Sequence, residues 1–236
     1  DLISRGQVRR DALVSSWAGA MGQTQFMPSS ILTYGTDWEG DGLLELWSNP
    51  RDALGSAANY LARNGWRTGE PAIAEVRLGQ GFNYGLANGD RRTVRDWIGR
   101  GVSVPEGIPP DLDAALFLPA GAAGPAFLTF ANYRVIKRYN FADSYALSVV
   151  FLADAYRGIS SPVAPWPREQ DVLQPEDVKL LQMALTRLGF DPGGVDGVAG
   201  RGTRAALQRW QSARGLAADG FPTKAMLERL KSEAGI

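Results

Sequence analysis

The residues with the clearest chemical potential lie in the segment SSWAGAMGQTQFMPSS at positions 15–30. Its small residues allow a backbone to approach a ligand closely, and Gln23, Gln25 and Phe26 follow them directly. Amides can hydrogen-bond hydroxyl and N-acetyl groups, while an aromatic ring can cover the apolar face of a pyranose. The segment therefore predicts a sugar site, although a tight turn between two core helices would explain it equally well if it stood alone.

The amino-acid composition restricts the chemistry open to such a site. The 236 residues include no cysteine and no histidine, which excludes disulfides, thiolate nucleophiles, Ser–His pairs and His-ligated zinc. The 25 basic residues equal the 25 acidic ones, so there is no basic excess to bind nucleic acid. Apolar runs fall short of the roughly 20 residues that a membrane helix needs. We therefore expect carboxylates, tyrosines and amides to contact the ligand.

A second candidate site lies in TDWEGDGLLELWS at positions 36–48. Asp37, Glu39 and Asp41 alternate and Gly42 supplies a sharp turn, as in the first half of a calcium-binding loop. The twelfth position is Ser48, where such loops carry a bidentate glutamate. The alternative is a solvated acidic turn that binds no ion.

Turn signals divide the chain into three parts. Residues 158–173 are rich in proline and lack apolar periodicity, which predicts a semi-extended linker between a larger part at 1–157 and a small part at 174–236. The larger part has two helical and two strand patterns, at 50–64, 142–156, 72–78 and 126–130. We therefore expect a mainly α-helical domain with a small β insertion.

The small part contains an internal repeat, in which VDGVAGRGTRAALQRW (195–210) is echoed by ADGFPTKAMLERL (218–230). Each Asp-Gly pair predicts a turn, and each threonine, Thr203 or Thr223, predicts the N-cap of an amphipathic helix. Together with a helical pattern at 177–190, these features predict a three-helix bundle.

Residues 174–230 resemble the peptidoglycan-binding module found at the ends of many bacterial wall hydrolases. The resemblance lies in the glycines and aspartate of the first repeat and in polar and aromatic residues of its helix: Gly194, Val195, Asp196, Gly197, Gly200, Thr203, Gln208, Trp210 and Gln211. The alternative is a small bundle with a purely structural role.

The segment AGAMGQTQFMPSS resembles the signature of the lytic murein transglycosylase B family, glycoside hydrolase family 103. DALGSAANYLARNGW (52–66) and VIKRYNFADSYALSV (135–149) extend the resemblance in the same order, over residues 9–157. It implies a partial lysozyme-like helical domain. The residues implied to line its glycan groove are Ser16, Gln25, Phe26, Tyr60, Tyr139, Asn140 and Tyr145. Each tyrosine taken alone could instead be a core aromatic.

The resemblance implies non-hydrolytic cleavage of the MurNAc–GlcNAc bond of peptidoglycan, which leaves 1,6-anhydroMurNAc ends and needs no cofactor. The acid/base glutamate is expected upstream of Asp1, so the chain alone is expected to be inactive. Two alternatives stay open: a non-catalytic peptidoglycan-binding protein, and a lysozyme-type muramidase, whose two flanking carboxylates are not found in the glycan-site segments.

The same family implies a structural calcium ion, bound by Asp37, Glu39 and Asp41 with the backbone carbonyl of Leu43 and the carboxylate of Asp52. Its members act on peptidoglycan glycan strands in the periplasm of Gram-negative bacteria, some attached to the outer membrane. We therefore expect that location, with membrane contact only through an anchor preceding this chain.

Overall fold

The computed structural model describes residues 3, 4, 8, 10, 13–167 and 173–236. The chain separates into two compact units, Asp1–Gly69 and Glu70–Ile236. This division falls inside the larger predicted part, and residues 168–172 of the predicted linker lie outside the described residues. Within the described ranges, every helix is too short or too polar to cross a bilayer.

The first unit is built on two helices, α1 (Pro28–Tyr34) and α2 (Pro50–Arg63). Both begin at a proline, and the Asn49 side chain accepts a hydrogen bond from the Arg51 amide at the start of α2. This confirms the helix predicted from the Asn-Pro pair. Residues 36–48, called the acidic segment below, lie between the two helices, and Leu46 in this segment is fully buried.

The second unit contains a five-stranded antiparallel sheet in the order β2-β4-β5-β1-β3. Its strands are β1 (Ile73–Leu78), β2 (Arg91–Thr93), β3 (Val102–Ser103), β4 (Asp113–Phe117) and β5 (Ala126–Thr129). β1 and β5 confirm the two predicted strands, and they pair with Ala74 opposite Leu128. Of the three strands without a sequence prediction, β2 and β3 carry three and two residues, which is too short for a clear alternating pattern, whereas β4 has five residues that alternate in burial.

Three helices pack around this sheet: α3 (Val94–Gly99), α4 (Ala131–Tyr139) and α5 (Asp143–Tyr156). α5 confirms the second predicted helix. Trp97 of α3 is fully buried, and its indole N–H donates to the Ala114 carbonyl at 2.9 Å. Phe127 of β5 contacts Phe151 of α5 with ring centroids 5.9 Å apart, so the second half of α5 packs on the sheet.

The C-terminal part forms three helices, α6 (Pro175–Arg187), α7 (Arg201–Ala213) and α8 (Lys224–Ala234), around a core that includes Leu207, Trp210 and Leu230. Thr223 caps α8 as predicted and accepts from the Met226 amide at 3.2 Å. The cap predicted at Thr203 is wrong. The N-cap of α7 is Gly200, three residues earlier, which turns the Thr203 side chain into the interior.

Candidate functional site

The segment 15–26 of the first unit folds into a small closed turn. Met21 and Phe26 exchange backbone hydrogen bonds of 2.8 and 3.0 Å, and Met21 also bridges Ser15. The Ser16 hydroxyl oxygen accepts from the Ala20 amide at 3.1 Å. These contacts hold Ser16 and Gln25 on one compact loop, as the sequence predicted for two residues of a common site.

Gln25 adopts a left-handed backbone conformation, with φ of 50°, which no other described non-glycine residue shares. Its side-chain amide donates to the Gly22 carbonyl at 2.9 Å. Left-handed non-glycine residues cost about 1–2 kcal/mol and are concentrated at ligand clamps and active sites. This geometry supports a binding role for Gln25.

Close packing beneath the loop explains its small residues. The Gln23 amide donates to the Leu46 carbonyl at 2.8 Å, and a Cβ added to Gly22 would lie 2.9 Å from both the carbonyl oxygen and the Cβ of Leu46. Gly22 also has φ of 67°. Only glycine combines this conformation with this approach.

Three aromatic residues of the first unit, Phe26, Tyr60 and Tyr34, contact one another in a row. The rings of Phe26 and Tyr60 lie 5.6 Å apart, and those of Tyr60 and Tyr34 lie 4.7 Å apart in an edge-to-face arrangement. Phe26 is only 3% exposed, so its ring supports the loop from below. Tyr60 is half-buried and offers the more accessible surface of the pair.

The remaining predicted site residues lie together where α4 meets α5. Tyr139 ends α4, Tyr145 lies in the first turn of α5, and their rings are nearly parallel, with centroids 6.2 Å apart and planes 10° apart. The Asn140 side-chain oxygen accepts from the Ala142 amide at 3.0 Å. Burial raises the pKa of Tyr145, so its hydroxyl stays protonated and can donate to a sugar oxygen.

The residues that hold this second cluster in place were not predicted from the sequence. Tyr133 and Lys137 of α4 both donate to one carboxylate oxygen of Asp143, at 3.0 and 2.6 Å. Burial, and next the negative charge of Asp143, raise the pKa of Tyr133. The available signal was the spacing of Tyr133 and Lys137, four residues apart and therefore on one face of a helix.

The predicted site residues thus form two clusters, one in each unit. Ser16, Gln25, Phe26 and Tyr60 belong to the first unit, and Tyr139, Asn140 and Tyr145 belong to the second. Both clusters present amides and aromatic rings, a combination suited to sugars.

Carboxylates in and next to the acidic segment accept hydrogen bonds from backbone amides of that segment. Asp37 accepts from the amides of Gly40 and Gly42, each at 2.7 Å, and these bonds, that from Gly42 foremost, lower the pKa of Asp37. Asp52 is 1% exposed, and its two carboxylate oxygens accept from the Trp38 and Glu45 amides at 2.8 and 2.9 Å. Both carboxylates are therefore used in shaping the loop.

Glu39 is also occupied by protein groups. It accepts from the Asn49 side chain at 2.6 Å and pairs with Arg51 at 2.7 Å, and these contacts lower its pKa, with Asn49 as the largest cause. Among residues 13–167 and 173–236, no three acidic side chains converge to hold a metal ion. Asp37, Glu39 and Asp52 thus already have protein partners, and the prediction of calcium stays open to measurement.

Calcium should therefore have little effect on stability. We expect a chelator, and then added calcium, to change the melting temperature of the chain by less than about 1 °C, because Arg51 already neutralises Glu39. Differential scanning calorimetry measures this, with magnesium as the control cation. A calcium-specific rise of about 4 °C or more would contradict this expectation and support the sequence-based prediction.

In the C-terminal part, a buried glutamine holds each Asp-Gly turn of the repeat. The side-chain oxygen of Gln182 accepts from the Asp196 and Gly197 amides, each at 3.0 Å, and its nitrogen donates to the Asp196 carboxylate at 2.8 Å. Gln211 makes the equivalent contacts with the second turn, donating to the Asp219 carboxylate and accepting from the Gly220 amide, each at 2.8 Å. The repeat seen in the sequence is therefore a repeat of structure.

Two known family models match separate parts of the chain. Residues 1–154 match the transglycosylase SLT domain, and residues 174–230 match a peptidoglycan binding domain. The membrane-bound lytic murein transglycosylase B of Escherichia coli (strain K12) is 36% identical over 146 residues, which are 61% of this chain and 39% of that protein.

Two solved structures are informative. SltB3 from Pseudomonas aeruginosa, in complex with NAG-anhNAM-pentapeptide, is 43% identical with a TM-score of 0.91, and the match covers 98% of this chain and 63% of that one. The lytic transglycosylase Slt35 from Escherichia coli, in complex with calcium, is 34% identical with a TM-score of 0.53, over 60% of this chain and 45% of that one. The chain thus spans less than two thirds of the relatives that it matches.

These matches confirm the mainly helical, lysozyme-like fold. They show that the chain belongs to the transglycosylase SLT domain family.

Proposed function

We propose that the protein is a lytic transglycosylase of bacterial peptidoglycan, and that this chain carries its glycan-binding clusters and its wall-binding module. The observation that carries this proposal is the likeness, over 98% of this chain, to a relative solved with a NAG-anhNAM-pentapeptide. The two clusters of amides and aromatic rings support it independently, because they are suited to hold N-acetylated sugars.

In the proposed reaction, one acid protonates the glycosidic oxygen between MurNAc and GlcNAc. As that bond breaks, the C6 hydroxyl of MurNAc attacks its own C1 and returns its proton to the same group, now acting as base. A 1,6-anhydro ring forms and GlcNAc leaves with a free hydroxyl. The amides of Gln25 and Asn140 would orient the N-acetyl and hydroxyl groups, which lowers the barrier by positioning.

The acid itself is proposed to precede Asp1. Two glutamates of the chain are engaged elsewhere: Glu39 pairs with Arg51, and both carboxylate oxygens of Glu75 accept backbone amides. Neither belongs to a glycan cluster. We therefore propose that this chain supplies binding and positioning, and that the complete protein supplies the proton.

The periplasm is the proposed location, with peptidoglycan strands as partner and membrane attachment only through an anchor outside this chain. The relationship to bacterial murein transglycosylases supports this location.

Mass spectrometry of the products tests the activity. We expect the complete protein to release muropeptides with 1,6-anhydroMurNAc ends from purified sacculi, and the present chain alone, as control, to release none. Products that all carry reducing ends would show a muramidase. Absence of any product with the complete protein would favour a non-catalytic wall-binding protein.

A further inference from the structure

The proline-rich segment that precedes the C-terminal module is held against the sheet. The two carboxylate oxygens of Glu75, in β1, accept from the amides of Val163 and Ala164, each at 2.7 Å. Hydrogen bonds from backbone amides to a carboxylate are among the stronger ones in proteins. A flexible tether would make no such fixed contacts, so the predicted linker is anchored over at least part of its length.

The module itself contacts the turn between β4 and β5 through Asp219. One carboxylate oxygen of Asp219 accepts from the Gln211 side chain and the Phe221 amide within the module, at 2.8 and 2.9 Å. The other accepts from the Ala122 amide at 2.7 Å. Asp219 therefore joins the second Asp-Gly turn of the repeat to the sheet.

The two surfaces are shaped to fit each other. A Cβ added to Gly121 would lie 2.6 Å from the Asp219 carboxylate and 2.7 Å from the Cβ of Phe221. A second contact is made by the side-chain amide of Gln208 in α7, which donates to the Tyr84 carbonyl at 3.2 Å. Contacts this close need one definite placement of the module.

Phe221, which lies against Gly121, also holds the Arg204 guanidinium of the module 5.6 Å from its ring centroid. The carboxylate of Asp143, which fixes the start of α5, and that of Asp219 both act on the Arg204 guanidinium of the module. Desolvation lowers the pKa of Arg204, and these two carboxylates oppose that shift.

We infer that the C-terminal module, residues 174–236, is a fixed part of the second unit, docked on the Gly121–Ala123 turn and clamped at the preceding segment by Glu75. The sequence predicted a tethered module, which would sample many positions and act by raising local concentration. A docked module instead presents its wall-binding surface at one set distance from the Tyr139–Tyr145 cluster. The docking does not depend on the proposed reaction.

Amide hydrogen exchange of the whole chain tests the docking. In the unaltered chain we expect the Ala122, Val163 and Ala164 amides to exchange at least about tenfold more slowly than in an unstructured peptide, since each donates to a carboxylate. Unprotected exchange at all three would overturn the inference, whatever the behaviour of any variant.

Two variants then separate docking from local stability. Gly121→Ala places a methyl group against the module, and we expect exchange at residues 216–222 to rise about tenfold. Its control is Gly101→Ala, because Gly101 has a similar φ of 88° and open space around its Cβ.

The second variant, Gln208→Ala, removes the contact with Tyr84 and should have a smaller effect of the same kind. Arg209→Ala, exposed on the same helix, is its control. If both docking variants affect exchange only at their own turns, the module is not docked.

Discussion

Replacing Gln182 by alanine should unfold or strongly loosen the C-terminal module. Gln182 is 1% exposed and contacts both the backbone and the side chain of the first Asp-Gly turn. The substitution leaves the Asp196 and Gly197 amides without their acceptor and opens a cavity. We expect a loss of about 3–5 kcal/mol in the free energy of unfolding of the module, within the range for broken buried networks.

Amide hydrogen exchange of the buried core of α6, α7 and α8 measures this loss, and Met183→Ala is the matched control. Met183 is the next residue of α6 and is 49% exposed, so its replacement should cost less than about 1 kcal/mol. The hydrogen bond from Gln182 is the main cause that lowers the pKa of Asp196, and this pKa should rise in Gln182→Ala. Equal stability of the two variants would contradict the account of the repeat.

The low pKa of Asp196 in the folded state determines how the stability of the C-terminal module changes with pH. A carboxyl group whose pKa is depressed by folding stabilises the fold above its unfolded pKa, and this contribution is lost as the pH falls through the folded pKa. The contribution of Asp196 should therefore be present at neutral pH and lost in acid, at a pH below the ordinary value of 3.8.

Replacing Gly22 by alanine should disrupt the loop that carries Gln25. The new methyl group would meet the Leu46 backbone at 2.9 Å while the residue keeps φ of 67°. The left-handed conformation costs about 1–2 kcal/mol, and the steric overlap adds about 1–3 kcal/mol. We expect a lower melting temperature for the first unit, together with loss of glycan binding at Gln25.

Gly40→Ala provides the control that separates the two costs. Gly40 has φ of 74°, and nothing lies within 4 Å of its added Cβ, so this variant carries the conformational cost without the overlap. Calorimetry should show a clearly larger loss for Gly22→Ala. If the two variants lose equal stability, the close approach of the loop to Leu46 is not what requires glycine.

The sequence allowed prediction of elements with strong local signals. α2 follows an Asn-Pro cap, α5 begins at an acidic residue and is apolar over most of its length, and β1 alternates, so each is specified within its own segment. The strands of two or three residues, β2 and β3, gain their structure only from pairing with longer neighbours. Such pairing leaves no pattern in the segment itself.

Candidate site residues that belong to one continuous motif also lie together in the structure. Ser16 and Gln25 lie on one loop, and Tyr139 and Tyr145 flank one helix junction. The contacts that hold the C-terminal module were not predictable, because they join residues far apart in sequence: Gln182 contacts Asp196 across 14 residues, and Asp219 contacts Ala122 across 97. The acidic segment is a case in which a clear local pattern leaves the contacts of its residues undetermined. Its alternating carboxylates match a metal loop in sequence, yet they accept their own backbone amides and Arg51.

The central claim is that this chain binds peptidoglycan glycan through two clusters of amides and tyrosines. Titration of the isotope-labelled chain with an anhydro-muropeptide, followed by NMR, tests it directly. We expect saturable shifts at Gln25 and Tyr60 and at Tyr139, Asn140 and Tyr145. In the Gly22→Ala variant, the shift at Gln25 should be lost. Saturable shifts confined to residues 174–236, with both clusters unchanged, would contradict it.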